Sequence, residues 1–309
     1  MMIDILMATY NGEKYVSEQI ESIINQTYSD WKLFIRDDGS KDNTLSVIKE
    51  YANKYPEKIV VIEDGKRGLG AKLNFAELMK YSKNDYCMFA DQDDFWINEK
   101  IQLTFDEMKR LEEKYSKNTP ILVHTDLKVV DSNLNILNES FWEYQKLDAN
   151  KRALNNLLVQ NNITGCTMMM NRKLMEMSTN IPQGCIMHDW WIGLVASCFG
   201  QIGIVNKQTM LYRQHGGNEV GAHNYKSLKY YTSKLSNVNK ITKSINDTLV
   251  QAKSFYDVYK NDLTKEQKNT LIEFYSLKDK GLIGRKASVV KNKFYKNGLA
   301  RNIGYFIFI

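Results

Sequence analysis

Three carboxylates fall within four positions at Asp91-Gln92-Asp93-Asp94. They follow the apolar run Tyr86-Cys87-Met88-Phe89-Ala90, which reads as a buried strand, so the acids emerge together at its carboxyl end. In an open α/β sheet that end is where ligands bind. Like charges this close raise one another's pKa unless a cation neutralises them. Hard oxygen ligands with no Cys or His beside them suit Mg²⁺ or Mn²⁺, often shared with the phosphates of a substrate. The plain alternative is a solvated acidic turn capping a helix that starts near Asn98. The strand before the acids and the bulky Phe95-Trp96 after them favour a metal–nucleotide site.

Other stretches carry chemistry at strand or helix ends. Arg36-Asp37-Asp38-Gly39-Ser40 sets two acids beside a turn-forming glycine. Neighbouring strand residues point to opposite faces, so one acid faces the ligand crevice and the other supports the turn. A carboxylate there either accepts the imide N–H of a uracil or thymine ring or caps the next helix. His188-Asp189-Trp190-Trp191 opens a helix in apolar surroundings. Two tryptophans beside a carboxylate exclude water and raise its pKa, as a general base needs, although Asp189 also suits a helix cap. Tyr212-Arg213-Gln214-His215 ends a strand and offers a cation and an imidazole to a pyrophosphate or a metal. His124-Thr125-Asp126 is a weaker signal, and Met168-Met169-Met170 reads as core. Gly68-Leu69-Gly70 is too short for a dinucleotide fingerprint, and neither a phosphate-binding Gly-x-x-x-x-Gly-Lys-Ser/Thr loop nor a Gly-x-Ser-x-Gly elbow occurs.

Positioning these groups falls to alternating strands and helices. Strands are expected at Ile3–Ala8, Trp31–Ile35, Ile59–Ile62 and Tyr86–Ala90, with amphipathic helices between them, one placing Val16, Ile20, Ile23 and Ile24 on a single face. Helices between successive strands imply parallel pairing with right-handed crossovers. The loops after the first, second and fourth strands therefore gather on one rim. Beyond a helix at Glu99–Tyr115 the rhythm changes. Strands are expected at Ile121–Val130 and Asn161–Asn171, a helix at Met187–Phe199, and two short strands at Ile202–Val205 and Gln208–Arg213. From Ala222 onward the pattern is helical, and a boundary is set near residue 221.

Composition is that of an ordinary globular protein, and no stretch reaches the length of a membrane span. The start lacks the marks of a signal peptide. The four cysteines form no Cys-x-x-Cys pair and read as buried free thiols in a reducing cytoplasm. Net charge is +6, yet residues 222–309 hold 17 basic and 6 acidic side chains while the remainder is net negative. An acidic body with a basic tail suggests two jobs. The tail mixes Lys291, Lys293, Lys296 and Arg301 with aromatics and suits the surface of an anionic bilayer through residues 285–309; an ordinary helical appendage or an oligomer contact is the alternative.

In order, Ala8-Thr9-Tyr10-Asn11-Gly12-Glu13, Gln26-Thr27-Tyr28, Arg36–Asp42, Ala90–Trp96, His188-Asp189-Trp190 and Tyr212–His215 resemble the inverting nucleotide-sugar glycosyltransferases of family two. The Asp-Gln-Asp-Asp variant, with His124-Thr125-Asp126 and Thr164-Gly165-Cys166-Thr167, looks most like the bacterial rhamnosyltransferases of cell-wall and capsular polysaccharides. The resemblance implies a GT-A fold, a Rossmann-like α/β domain with a mostly parallel central sheet over residues 1–221, followed by a basic helical region at 222–309. It implies that Thr9, Tyr10, Glu13, Asp91, Gln92 and Arg213 bind the nucleotide sugar and that Asp38 contacts the base. It further implies that Asp93 and His215 hold Mg²⁺ or Mn²⁺ and that Asp189 is the catalytic base. The expected donor is dTDP-rhamnose or a UDP-sugar, and the acceptor a glycan or lipid-linked saccharide. No nucleic-acid partner is expected. The implied location is the cytoplasm, peripheral on the inner face of the membrane. A sugar-phosphate nucleotidyltransferase is disfavoured because no glycine-rich N-terminal loop bearing Lys and Arg is present. A module that binds nucleotide sugar without turnover stays open.

Overall fold

A computed structural model describes residues 1–216 and 238–309. The boundary set near residue 221 lies outside the described residues. The chain runs β1 (Ile3–Thr9), α1 (Val16–Ile24), β2 (Trp31–Asp37), α2 (Thr44–Lys54), β3 (Ile59–Val61), α3 (Gly70–Met79), β4 (Tyr86–Asp91), β5 (Phe95–Trp96) and α4 (Lys100–Tyr115). It continues β6 (Ile121–Val130), β7 (Ile136–Asn138), α5 (Phe141–Tyr144), α6 (Leu154–Val159), a 3₁₀ turn (Gly165–Thr167), β8 (Met168–Asn171), α7 (Arg172–Ser178), α8 (His188–Phe199) and β9 (Gln201–Arg213). Helices α9 (Val238–Tyr259), α10 (Lys265–Tyr275), α11 (Leu282–Lys291) and α12 (Leu299–Phe308) complete it.

The strands form one mixed sheet in the order β3-β2-β1-β4-β8-β6-β9-β5, with β7 paired to β6. The first four strands are parallel throughout, as helical crossovers require. Antiparallel pairing enters at β8, which joins β4 to β6. The β1, β2 and β4 carboxyl ends lie level, with Thr9 beside Asp37 and Ala8 beside Asp91.

Two layers of core flank the sheet. Strands buried on both faces need apolar residues at successive positions, hence the continuous runs. One layer packs Val16, Ile20, Trp31, Trp96 and Met108. The other packs Phe75, Phe89, Trp191 and Leu194, and reaches into the C-terminal helices through Leu249, Phe255, Phe274, Phe294 and Tyr305. Among the described residues, no helix is long and apolar enough to cross a membrane.

Two local expectations change. The strand foreseen at Asn161–Asn171 is a loop, a 3₁₀ turn and a short β8, because Thr167 turns back on the Thr164 carbonyl through its N–H (2.9 Å) and its hydroxyl (2.7 Å). The two short strands after α8 are the single β9. Exposed Asn206-Lys207 mimics a turn in sequence, but the chain absorbs it as shifts in the pairing register with β6.

Candidate active site

The loops after β1, β2 and β4 are laced together on the rim. Asn11 turns with φ of 48°, a conformation that Asn tolerates. Its N–H donates to Ser40 Oγ and its Oδ1 accepts from the Lys41 N–H, both at 2.8 Å. Glu13 is exposed, and its carboxylate accepts from the Asn43 side-chain amide and backbone N–H (2.9 Å each), which hold its pKa below the ordinary value. Gln92 clamps Tyr10: its Oε1 accepts the Tyr10 N–H and its Nε2 donates to the Tyr10 carbonyl, both at 2.9 Å. Gly12 makes room for this clamp, since a Cβ there would sit 2.2 Å from Gln92 Oε1.

The β2 acids divide their work. Asp37 accepts from the Thr9 hydroxyl (3.0 Å) and the Gly39 and Ser40 N–H groups (3.0 and 2.8 Å), so it and buried Thr9 support the turn. Asp38 accepts from the Leu69 and Gly70 N–H groups (3.0 and 2.8 Å) at the start of α3, where a carboxylate complements the helix dipole. Buried Arg36 braces it, donating to Asp38 (3.3 Å) and forming a two-pronged pair with Asp64 (3.0 Å each). The structure thus turns Thr9 and Asp38 inward.

The acidic loop is carried to the far end of the chain by β5, whose Phe95 and Trp96 pair antiparallel with Leu211 and Met210 of β9. That pairing puts His215 Nε2 2.7 Å from Asp93 Oδ2. Arg213 is buried and acts as a strut: its N–H donates to Asp94 Oδ1 (3.2 Å), its Nε to the Asp93 carbonyl (2.8 Å), its Nη1 to the Ser132 carbonyl (2.7 Å) and its Nη2 to Glu18. Asp94 is fully buried. Burial, then the charges of Asp93 and Asp91, push its carboxyl well above the usual range, and its Oδ2 has no hydrogen-bond partner. Ligand atoms of Asp91, Asp94 and Cys166 lie within 4.8 Å of one another. Behind them Lys100, also fully buried, donates to Thr209 Oγ1 (3.2 Å). Burial lowers its pKa to about 8, and the neighbouring Cys166 and Asp94 oppose that shift.

The 3₁₀ turn links this cluster to Asp189. Cys166 belongs to the acidic group, while the adjacent Gly165 N–H donates to Asp189 Oδ2 (3.1 Å). Asp189, half-buried in the first turn of α8, also accepts from the Trp190 N–H (2.6 Å). Desolvation outweighs these bonds and pushes its pKa up to about 6. Its neighbour His188 is wedged between Phe75 and Phe89, with ring centroids 4.3 and 4.8 Å away, and burial lowers its pKa to about 3, so the ring is neutral. The acidic loop and Asp189 therefore share one region, separated by a single turn of backbone.

A cleft of about 700 Å³ opens over the rim, lined among others by Tyr10, Asn11, Lys14, Gln92, Gln214 and His215. Of the residues expected from sequence, Tyr10, Gln92 and His215 line it; Glu13 lies on the adjoining loop. Lys14 was missed because one lysine after a turn carries no pattern. Gly165, Cys166 and Lys100 were missed as site residues because only the sheet pairing brings them to the acids. The sequence suggested acids with no Cys or His beside them, whereas the fold brings the Cys166 thiol to Asp91 and Asp94 and the His215 imidazole to Asp93. The Asp93 carboxylate with one imidazole fits Mg²⁺ or Mn²⁺, and the mutual repulsion that adds to burial in raising the Asp94 carboxyl is what a cation there would relieve.

A model of glycosyl transferase family 2 matches residues 4–177. The chain belongs to that family. It is 32% identical over 235 residues to the dTDP-rhamnosyl transferase RfbG of Shigella flexneri, covering 72% of this chain and 76% of the relative. It is 30% identical to the UDP-Glc:alpha-D-GlcNAc-diphosphoundecaprenol beta-1,3-glucosyltransferase WfgD of Escherichia coli over 57% of this chain and 62% of that one. The fold is that of the mannosyltransferase PcManGT from Pyrobaculum calidifontis, solved with GDP-Man and Mn2+, at a TM-score of 0.55 and 12% identity over 99% of this chain and 83% of that one. The protein is a GT-A glycosyltransferase with rhamnosyltransferase-like sequence.

Proposed function

We propose that this glycosyltransferase moves L-rhamnose from dTDP-rhamnose, with inversion, to a hydroxyl of a growing lipid-linked polysaccharide. The observation that carries the mechanism is Asp189, a carboxylate with a pKa of about 6 held one backbone turn from the acidic loop. Above that pH it is ionised and takes the proton of the acceptor hydroxyl as the oxygen attacks the anomeric carbon. The bond from that carbon to the diphosphate breaks in the same displacement. The Gly165 and Trp190 N–H groups orient the carboxylate, and the neighbouring His188 is buried and stays neutral.

Asp93 and His215 are the residues that would hold Mg²⁺ or Mn²⁺, and Asp91, at the end of β4, would contact the sugar. The bound ion would supply Lewis-acid stabilisation of the negative charge on the departing nucleoside diphosphate. Tyr10 and Gln92, fixed to one another, form the nucleotide wall of the cleft, and Lys14 adds a cation toward the phosphates. Asp38, Thr9, Glu13 and Arg213 act by holding these loops in place.

The donor assignment is supported by the likeness to a dTDP-rhamnosyl transferase over most of both chains. A UDP-hexose donor is the second reading, favoured by the likeness to WfgD. A thermal-shift panel of dTDP-, UDP- and GDP-sugars with Mn²⁺ decides between them. A true donor at about 100 times its Kd stabilises the fold by about 2.7 kcal/mol. A larger shift with UDP-glucose than with dTDP-rhamnose overturns the assignment, and binding without transfer to any acceptor indicates a non-catalytic module.

A further inference from the structure

The last two helices present a surface that the transfer reaction does not use. Helix α12 is apolar on opposite sides. Tyr305 and Ile309 are buried against the body, while Leu299, Ile303 and Ile307 point outward, Leu299 at 78% exposure. An apolar stripe left facing outward from a helix that already buries its other side belongs against an apolar partner. Helix α11 extends the patch with Leu282, Ile283 (85% exposed) and Val290. The two helices meet where Lys286 Nζ lies 5.3 Å from the Phe306 ring centroid.

Charge selects the partner. From residue 280 to 309 the sequence has seven Lys or Arg and no Asp or Glu. A symmetric contact with a second copy would set like charges against each other. An anionic lipid surface meets both features at once, since apolar side chains enter the acyl boundary while lysines reach the phosphates. Helix α12 spans 10 residues, far short of a bilayer, so it lies along the surface. We propose that the outer faces of α11 and α12 dock this protein on an anionic phospholipid bilayer, with Ile283, Leu299, Ile303 and Ile307 inserted and Lys286, Lys291 and Lys293 at the headgroups.

The position of this face fits its use. Arg301 ties α12 to the α5 segment, donating to the Lys146 carbonyl (3.2 Å) and to the Gln145 carbonyl. Lys146 also lines a second cleft of about 570 Å³ with Trp142, Glu143 and Gln208. A membrane on this face would bring a lipid-anchored sugar chain alongside that cleft.

The test is co-sedimentation of the full chain with vesicles of pure phosphatidylcholine and of phosphatidylcholine mixed with phosphatidylglycerol. Binding to the mixed vesicles, weakened by high salt and lost in the Ile303→Asp/Ile307→Asp variant, is the expected result. Each of Lys286→Gln and Lys293→Gln lowers vesicle affinity by about fivefold. Donor-induced thermal shifts measured on the same variants show whether the fold is kept, independently of any transfer activity. The proposal is overturned if the intact protein stays in the supernatant or binds neutral vesicles equally well. It is also overturned if the double variant turns a dimer into a monomer by light scattering while neither form binds vesicles, which would make the face a contact between copies.

Discussion

The two halves of the sheet build the site by different means. In the parallel half, β1, β2 and β4 deliver their loops level on one rim, and each loop carries its polar residues in its own short segment. In the mixed half, where β6 and β9 run parallel but β8 and β5 run against their neighbours, the partners arrive from far along the chain. His215 reaches Asp93 across 122 positions and Arg213 reaches the Asp93 carbonyl across 120. The first half supplies a rigid cradle that topology makes almost automatic. The second supplies Asp189 from α8, and, through the pairing of β5 with β9, the His215 imidazole and the Arg213 strut.

If that division holds, damage to the second half strikes chemistry and damage to the first strikes donor binding. Asp189→Asn should lower kcat by about 10²–10⁴-fold with the donor thermal shift retained; unchanged transfer removes Asp189 from the role of base. His215→Ala should weaken Mn²⁺ affinity, measured by metal titration of the transfer rate, by about 10–100-fold, and an unaltered titration curve would place the metal elsewhere. Gln92→Ala removes two hydrogen bonds to Tyr10, each worth about 0.5–1.5 kcal/mol, and should raise KM for the donor more than it lowers kcat. A pure kcat effect would blur the comparison.

The smallest effect is on stability and follows from the sign of the Asp189 shift. Its folded pKa of about 6 lies above the unfolded value of 3.8, so the folded state holds this proton more tightly. The stability it contributes is present below the unfolded pKa and is lost as pH rises through the folded one. Asp189→Asn should therefore melt higher than wild type at pH 8, with the gain shrinking toward pH 4. The transfer rate of the wild type should fall below about pH 6 for the same reason. A melting difference independent of pH would mean that the carboxylate is not held in a desolvated site.

Much of this was legible in the sequence. Continuous apolar runs ending in acids or Asn identified the parallel strands and the rim, because a strand buried on both faces has to be apolar along its length. A carboxylate opening an apolar helix pointed to a perturbed Asp189, and burial does raise its pKa to about 6; the two tryptophans turn elsewhere, Trp190 Nε1 to the Leu157 carbonyl and Trp191 against Phe255. Tertiary structure alone decided what contacts across the sheet settle. It turned Asp38 inward onto the start of α3, made Arg213 a buried strut, merged two short strands into β9, and set Gly165 and Cys166 between the acids and Asp189. Local pattern fixes which way a side chain points from its own strand. Which distant group meets it depends on strand order, and strand order is chosen by the packing of the whole core.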